Sequence, residues 1–335
     1  MPALAVADAL RAEGAEVEFV GGERAEASLV PAAGYQLHPL RMVPLPRRRP
    51  LAAVRAIAID ARALAGAERL LRRLRPDAVL GAGGYVAGPI SMAAVLERVP
   101  LVLAEADSHL GLTNRLLSPF ARRVCLAFPL PGRSGGRYLV TGRPIPAPAV
   151  DRAAARKRFG IEPEDSCVLV FGGSQGARSI NQAALEAFTG ARFRVLHAAG
   201  ERDLPELRAP GPNYDLRGYI ANFGEALLAS DLVVARAGGS VFEIAGAGRP
   251  AVLVPYPYAT ADHQTANARF MADAGAAVII PDADLSGPRL AQEVGRLLAD
   301  PGRLAAMGRA ASAVARPDAA ARIAAEVLAA AAARQ

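Results

Sequence analysis

Tryptophan is absent from this sequence of 335 residues, lysine occurs once, as Lys157, and aromatic residues make up only 5% of the chain. A nucleic-acid-binding helix with interleaved basic and aromatic residues is therefore not indicated. The two cysteines, Cys125 and Cys167, lack metal-ligand spacing and are predicted to be buried free thiols. There is no signal peptide and no apolar run of about 18 residues, which predicts a cytosolic protein that is at most peripheral to a membrane.

The positive charge is carried almost wholly by arginine, and the formal net charge is +7. Such an excess suits an anionic partner, which is a nucleotide, a membrane surface or, least favoured, a nucleic acid. Apolar residues make up 52% of the chain, which is enough to bury sizeable cores. The length suggests two domains.

A basic segment covers residues 41–75, where ten arginines stand against two acidic residues. It overlaps an apolar stretch over residues 35–46, and its densest cluster is Arg47, Arg48 and Arg49. An apolar stretch beside a polybasic one is typical of a peripheral contact with an anionic membrane. The alternative is an ordinary solvated helix face.

Strands alternate with helices along the chain, which predicts the α/β class with parallel sheets covered on both faces. The alternation restarts halfway, so two doubly wound domains are expected, with ligands at the carboxyl ends of their strands. We place the first domain at residues 1–146 and the second at 147–316. Residues 317–335 are predicted to form a helix that crosses back to the first domain, and residues 22–50 to be mostly loop.

The first candidate ligand loop follows an apolar strand in residues 168–177, Val-Leu-Val-Phe-Gly-Gly-Ser-Gln-Gly-Ala. Strand, glycine turn and helix in this order direct free backbone N–H groups at an anion. Gly172 and Gly173 let the backbone approach a phosphate without a Cβ in the way. The turn lacks the G-x-G-x-x-G pattern and the Walker lysine, so a turn that binds nothing is the alternative.

A second block, residues 235–268, contains two further loops that follow strands. The run from Arg236 to Glu243 places two glycines before a helix and a carboxylate one turn into it. Such a helix start suits a pyrophosphate, and Glu243 suits the vicinal hydroxyls of a ribose. Taken alone, each residue also has an ordinary structural explanation. Glu243 fits an acidic residue on a helix surface, and His263 fits a residue next to a helix N-cap. Their convergence on one ligand edge favours a nucleotide site.

These motifs together resemble the MurG family: Gly-Gly-Ser-Gln-Gly-Ala at 172–177, Arg-Ala-Gly-Gly-Ser before Glu243, and Asp-His-Gln-Thr-x-Asn-Ala at 262–268. Residues 83–88 and 111–115 are similar to the family's first domain, so the resemblance covers nearly the whole chain. It implies the GT-B fold, in which two Rossmann-like domains face each other across a cleft.

The resemblance implies inverting transfer of N-acetylglucosamine from UDP-N-acetylglucosamine to lipid I, undecaprenyl-pyrophosphoryl-N-acetylmuramoyl-pentapeptide, which gives lipid II in peptidoglycan synthesis. The family's chemistry is metal-free, so neither a metal nor another cofactor is expected. The implied location is the cytoplasmic face of the cell membrane, where a peripheral protein contacts the anionic inner-membrane surface. No nucleic-acid partner is expected.

The resemblance also implies roles for individual residues. Glu243 would hold the ribose hydroxyls, Ile220 would present its backbone to the uracil, and Gln264 would contact the donor sugar. The implied donor-binding residues are Ser174, Gln175, Ile220, Gly238, Gly239, Ser240, Glu243, Gln264 and Asn267. The implied acceptor-binding residues are Gly83, Gly84, Tyr85 and Asp107. The general base is unassigned, with Asp107 as a candidate.

The sequence departs from the family pattern in its first domain. Family members begin with a strand and a Gly-Gly-Thr-Gly-Gly-His loop, whereas this sequence starts at Met1-Pro2-Ala3, beyond that loop. Because the first strand is central in a doubly wound sheet, we expect a gap in the first sheet, a helix over 2–13 without the strand it packs on, and slow turnover. The family's His-Glu-Gln-Asn reads Ala-Glu-Ala-Asp at 104–107, and Pro146 replaces an arginine. Donor binding is therefore better supported than full catalysis.

Two alternatives stay open. One is a related GT-B enzyme, either a diacylglycerol glycosyltransferase or a UDP-sugar epimerase. The epimerase ranks low, because epimerases use extra carboxylates and histidines in the cleft and this chain has four histidines. The other is a non-catalytic paralogue that binds a UDP-sugar or an assembly partner.

Overall fold

A computed structural model describes residues 2–23, 26–40, 50–84, 87–173 and 176–334. For residues 50–61 and 260 it describes the backbone only. The chain divides into two compact units, Met1–Ile145 with Asp318–Gln335, and Pro146–Pro317. Every strand pairing in both units is parallel, which confirms the predicted α/β class. No helix of the described residues has the length and apolar character needed to cross a membrane.

The first unit contains five helices before the unit boundary and six strands among its described residues. In chain order they are α1 (Pro2–Ala12), β1 (Glu18–Gly21), α2 (Glu26–Ala32), β2 (Gln36–Pro39), α3 (Pro50–Leu74), β3 (Val79–Gly81), α4 (Ala87–Leu96), β4 (Leu101–Glu105), α5 (Leu112–Leu117), β5 (Arg123–Leu126) and β6 (Tyr138–Val140). A 3-10 turn, Ser118–Phe120, follows α5.

The sheet of the first unit is divided. Strand β1 pairs with β2 in a two-stranded sheet, and β3, β4, β5 and β6 form a separate four-stranded sheet in that order. The expected gap between these two groups of strands is therefore confirmed for the described residues.

Helix α1 has a packing surface despite this gap. Val6 and Leu10 of α1 are buried in one cluster with Val102 of β4 and with Ile323 and Val327. The last two belong to the chain's final helix, Ala319–Ala332, which packs on α1. An apolar face from the far end of the chain thus covers α1.

The prediction of a loop over residues 22–50 is wrong for α2 and β2. The N–H of Gly22 donates to the carboxylate of Glu26 (2.9 Å between N and Oε1), and Val30 and Tyr35 are buried against α1. The frequent prolines favoured a loop, but Pro39 ends a strand at the edge of its sheet, where a missing N–H costs little.

The described elements of the second unit are α6 (Arg152–Arg158), β7 (Cys167–Phe171), α7 (Arg178–Ala187), β8 (Arg194–Ala198), β9 (Tyr214–Arg217), α8 (Phe223–Ala229), β10 (Leu232–Ala235), α9 (Val241–Gly246), β11 (Ala251–Leu253), α10 (His263–Asp273), β12 (Ala277–Ile279), α11 (Gly287–Leu298) and α12 (Pro301–Val314). These six strands form one sheet with the order β12-β11-β10-β7-β8-β9. The final helix of the chain is α13.

The central strands of this sheet are wholly apolar. All residues of β7 and β10 are buried, as a parallel sheet covered on both faces requires. Cys167 lies in β7 and Cys125 in β5, and both are buried free thiols, as predicted. Burial raises the pKa of each thiol to about 12, so neither is a reactive nucleophile.

Candidate functional site

The strand order of the second unit brings the predicted donor loops together. Strand β10 lies between β7 and β11, and all three are parallel, so their carboxyl ends share one edge of the sheet. The loop after β7 starts at Gly172, the turn after β10 covers residues 236–240, and the loop after β11 leads to α10. This edge is where doubly wound sheets bind their ligands.

Close backbone packing fixes the glycines of the first loop. A Cβ on Gly172 would lie 2.4 Å from the Cβ of Ala177, and one on Gly176 (φ +74°) would lie 2.2 Å from the carbonyl oxygen of Ala199. Gly173 also has a positive φ, +95°, but a Cβ there would have no heavy atom of the described residues within 4 Å. The loop is therefore tight on the protein side and open at Gly173, where an anion can reach the backbone.

Three predicted site residues, Ser174, Gln175 and Tyr85, lie outside the described residues. Their roles stay predictions. The remaining predicted donor residues are all described and fall on the same unit.

The turn after β10 is open at Gly238, where an added Cβ would meet no heavy atom within 4 Å in the part of the chain that the structure describes. Glu243 lies in the first turn of α9 and is half-buried. Asn267 is almost fully buried, and its Nδ2 donates to the carbonyl oxygen of Ala237 at 3.0 Å. Asn267 thus holds the backbone of the turn that carries Gly238, Gly239 and Ser240.

Gln264 follows β11 at the start of α10, whereas Ile220 follows β9 at the edge of the sheet. The Oε1 of Gln264 accepts a hydrogen bond from the backbone N–H of Tyr256 at 3.0 Å, which ties the start of α10 to the loop after β11. The side chain of Ile220 is buried, whereas that of the preceding Tyr219 is exposed.

Arg236 forms an ion pair that the sequence patterns did not predict. Its Nη1 lies 2.6 Å from the Oδ1 of Asp282, and its Nη2 donates to the Oγ of Ser179 at 2.8 Å. Arg236 is only 8% exposed. Because its partners lie 46 and 57 residues away in sequence, no local motif indicated the pair.

A buried chain of hydrogen bonds lies behind the first loop. The Oη of Tyr214 is 2.7 Å from the Nδ1 of His197, and the Nε2 of His197 is 3.0 Å from the Oδ1 of Asn181. The Nδ2 of Asn181 donates to the carbonyl of Ala199 (2.9 Å) and to Asp203 (3.1 Å). Since Nδ2 is the donor end of Asn181, its Oδ1 must accept, which assigns the His197 proton to Nε2.

Burial lowers the pKa of His197 to about 4, so the ring is neutral near pH 7. The carbonyl of Ala199 that this chain holds is also the oxygen packed against Gly176. The buried chain therefore supports the loop that follows β7.

The first unit has a comparable edge. Gly83 (φ +84°) and Gly84 (φ +75°) follow β3, and β3 pairs with β4, so the loop after β4 lies beside them. A Cβ on Gly83 would lie 3.5 Å from the carbonyl oxygen of Ala104 at the end of β4. The structure thus brings the Gly83–Gly84 turn to the loop that contains Asp107, which is half-buried.

Glu105 organises this loop. Its carboxylate accepts hydrogen bonds from the N–H of Asp107 (3.2 Å), the N–H of Gly111 (2.9 Å) and the Nδ2 of Asn114 (2.9 Å), and Glu105 is buried. Asn114 also donates to the carbonyl of Ala104 at 3.1 Å. The sequence carried a signal for Glu105, because a carboxylate at the end of a buried apolar strand requires partners.

Among the described residues, no group of three or more His, Cys, Asp or Glu side chains is placed to hold a metal ion. The polar groups at the two carboxyl edges are chiefly backbone amides, amide side chains and single carboxylates. Such an arrangement binds phosphate and hydroxyl groups through hydrogen bonds.

Residues 1–126 match the glycosyltransferase family 28 N-terminal domain, and residues 167–323 match the glycosyltransferase family 28 C-terminal domain. The UDP-N-acetylglucosamine–N-acetylmuramyl-(pentapeptide) pyrophosphoryl-undecaprenol N-acetylglucosamine transferase of Moorella thermoacetica is 41% identical, over 95% of this chain and 92% of its own length. The protein of the same name from Alkalilimnicola ehrlichii is 44% identical, over 96% and 93%.

The crystal structure of Acinetobacter baumannii MurG is similar to this chain with a TM-score of 0.80 at 30% identity, over 98% of this chain and 95% of that one. These similarities extend through both units and confirm the GT-B fold class. At this identity and coverage, the chain belongs to the MurG family of N-acetylglucosaminyltransferases within glycosyltransferase family 28.

Proposed function

We propose that this protein transfers N-acetylglucosamine from UDP-N-acetylglucosamine to lipid I, with inversion at the anomeric carbon and without a metal, and so forms lipid II. The observation that carries the proposal is the pairing of two open glycine turns, at Gly173 and Gly238, on adjacent strands of the second unit, with Glu243 one turn further along. Relatives with this activity in their names support the choice of substrates.

The donor binds at the carboxyl edge of the second unit. Backbone N–H groups of Gly238, Gly239 and Ser240, with Ser174, face the pyrophosphate, whose charge they stabilise as UDP leaves. Glu243 accepts hydrogen bonds from the ribose hydroxyls. Ile220 presents its backbone to the uracil, Gln264 contacts the sugar, and Gln175 and Asn267 complete the site.

The acceptor binds at the carboxyl edge of the first unit, along Gly83, Gly84, Tyr85 and Asp107. The acceptor hydroxyl oxygen attacks the anomeric carbon, the bond from that carbon to the UDP oxygen breaks, and the hydroxyl proton passes to a base. Asp107 is the candidate base, since Glu105 is occupied by three hydrogen bonds in shaping the loop.

The membrane contact is proposed on α5, not on the apolar stretch over residues 35–46. In that stretch Tyr35 is buried and Leu37 and Leu40 pack on the interior, while residues 41–49 lie outside the described ones. By contrast Leu112, Leu116 and Phe120, here called the α5 patch, are 57–62% exposed. Leu112 and Leu116 are four residues apart on α5 and share one face, and Phe120 ends the 3-10 turn that follows α5.

Basic and further apolar residues surround the α5 patch. Arg115 and Arg122 are exposed next to it, and Leu96 and Met92 are exposed on α4, which packs on α5. Exposed apolar side chains with arginines between them suit the interface of an anionic membrane. Because α5 follows the loop of Asp107, this surface places a lipid-linked acceptor near the loop that binds it.

The alternatives are not favoured. The family membership covers both units, and eight relatives at 34–44% identity carry the same name. Structures of UDP-N-acetylglucosamine 2-epimerases are similar at only 13–16% identity, which supports a shared fold alone.

The test is a transfer assay with the full chain, UDP-N-acetylglucosamine and a lipid I analogue, in the presence of EDTA. The expected result is a β-linked disaccharide product and UDP in equal amounts, unaffected by EDTA. Epimerised sugar nucleotide would instead indicate an epimerase, and UDP binding without turnover would indicate a non-catalytic paralogue.

A further inference from the structure

One guanidinium joins the carboxyl ends of four adjacent strands in the second unit. Arg236 follows β10; its Nη1 donates to the carbonyls of Val254 (3.2 Å) and Pro255 (3.3 Å) after β11 and lies 2.6 Å from Oδ1 of Asp282. Its Nη2 donates to Oγ of Ser179 at 2.8 Å. Asp282 follows β12, and Ser179 lies in the first turn of α7, directly after the loop of β7. The four strands are consecutive in the sheet.

Ser179 and Asp282 also contact each other. The Oγ of Ser179 donates to the Oδ1 of Asp282 at 2.8 Å, which closes a triangle of three side chains. Since the hydroxyl proton goes to Asp282, the Oγ is left to accept from Arg236. A planar guanidinium with fixed donors holds such partners in one geometry, which a flexible ammonium does not.

The triangle is nearly buried and its charges are paired. The side chains of Arg236 and Asp282 are 10% and 22% exposed. A buried cation needs a counter-charge, and hydrogen bonds with ionised partners are about twice as strong as neutral ones. The triangle therefore fixes the turn after β10 against the loop after β7.

We propose that Ser179 and Asp282 are positioning residues for donor binding, which act through Arg236 to set the spacing between the Gly172–Gly173 loop and the turn over residues 237–240. This inference rests on the proposed function, because it takes these two loops as the pyrophosphate site. Neither Ser179 nor Asp282 contacts the donor in this account. Their effect is on the geometry of backbone N–H groups that do.

The direction in which Asp282→Ala changes the affinity for UDP distinguishes a positioning role from simple electrostatic attraction. Asp282→Ala removes a negative charge and leaves Arg236 uncompensated beside an anion site. Attraction between charges alone predicts tighter binding of UDP. Positioning predicts weaker binding, because the turn and the loop lose their common anchor.

A matched control lies at the other end of the same strand. Asp231 precedes β10, its Oδ1 lies 2.6 Å from Nη2 of Arg152, and its side chain is 29% exposed. Its Oδ2 accepts from the N–H of Cys167 at 2.9 Å, at the start of β7. Asp231→Ala thus removes a comparable ion pair, with Arg152 of α6, and a hydrogen bond to the start of β7, but at the amino edge of the sheet, away from the donor loops.

The experiment measures the donor KM, the acceptor KM and kcat of the full chain, with calorimetric titration of UDP and the melting temperature of each variant. Asp282→Ala and Ser179→Ala are expected to raise the donor KM and the UDP Kd about tenfold, as small misplacements of binding groups do, with the acceptor KM unchanged. Ser179→Thr, which keeps the hydroxyl, is expected to recover most of that loss. Asp231→Ala is expected to lower the melting temperature alone.

Three outcomes overturn the inference: UDP that binds tighter to Asp282→Ala, a donor KM that Ser179→Ala leaves unchanged, or equal donor losses in Asp231→Ala and Asp282→Ala. Failure of the proposed function looks different, because the unmodified chain would then not transfer the sugar, whether or not it binds UDP. Ser179→Ala removes only a hydroxyl, so it keeps the test valid if Asp282→Ala does not fold.

Discussion

The carboxyl edges of the two units are built differently. In the second unit three loops follow adjacent strands of one continuous six-stranded sheet, and Arg236 ties them together. In the first unit the sheet is divided into two and four strands, and one buried carboxylate, Glu105, shapes the loop after β4. The difference indicates that several contacts hold the loops of the proposed nucleotide site in one unit, whereas a single side chain holds the loop in the other.

The largest expected effect is the loss of folding stability when Glu105 is replaced. Glu105→Ala leaves the N–H groups of Asp107 and Gly111 and the amide of Asn114 without their acceptor, and unmet buried donors cost about 1–3 kcal/mol each. We expect a loss of about 4 kcal/mol in the free energy of unfolding, measured by urea denaturation. Glu97→Ala, which breaks an exposed pair with Arg72, is the control and is expected to change little. A small effect at Glu105 would mean that the loop is not held as described.

The buried chain in the second unit predicts a pH dependence. The pKa of His197 is about 4 in the folded chain and about 6.5 when unfolded, so the unfolded state binds the proton first as the pH falls. This contribution to stability is complete above about pH 6.5 and decreases by about 3 kcal/mol down to about pH 4. His197→Gln should show a smaller loss over that interval in parallel denaturation curves. An identical dependence of the unfolding free energy on pH in both proteins would contradict the assignment of a neutral, buried ring.

Loss of one proposed contact with the nucleotide is expected to have a smaller effect than the two changes above, and this effect is on the affinity for UDP. Glu243→Ala removes charge-assisted hydrogen bonds to the ribose, which are worth about 2 kcal/mol. Calorimetric titration with UDP checks the expected rise in Kd. Glu225→Ala, a change in the first turn of α8 in the same unit, serves as the control. An unchanged Kd for Glu243→Ala would remove this residue from the ribose site.

The smallest expected effect per residue is the loss of membrane binding when residues of the α5 patch are replaced. Replacing Leu116 and Phe120 by Ser removes apolar area that enters the interface, worth about 1 kcal/mol for each partly exposed side chain. Co-sedimentation with anionic vesicles should decrease, whereas Val150→Ser, at an exposed apolar site of the second unit, should leave it unchanged. Equal losses of vesicle binding in the two variants would mean that exposed apolar side chains in general, and not the α5 patch, cause the binding.

The sequence predicted the parallel strand–helix alternation of the second unit and the strand before its first glycine loop, because strands such as β7 are wholly apolar and are followed by glycine turns. It predicted the gap in the first sheet from the resemblance alone. Helix α2 and strand β2 escaped prediction, since Pro31 and Pro39 favoured a loop and the burial of Val30 and Tyr35 depends on α1. Local pattern carried no information on that packing.

The candidate site was predictable where chemistry follows short motifs, as at Gly172, Gly238 and Glu243. It was not predictable where the function of a side chain is to hold a loop. The pairing of Arg236 with Asp282 and Ser179 joins residues far apart in sequence, and so does the chain from Tyr214 through His197 to Asn181. Such contacts are set by the order of strands in the sheet, which a single sequence does not display.

The most direct measurement of the contrast between the two edges is hydrogen exchange of the full chain with and without saturating UDP, followed peptide by peptide. The account predicts slower exchange in peptides that cover residues 172–177 and 237–243, with no change over residues 83–84 and 105–111. Protection confined to the first unit, or none at the glycine turns after β7 and β10, would contradict it.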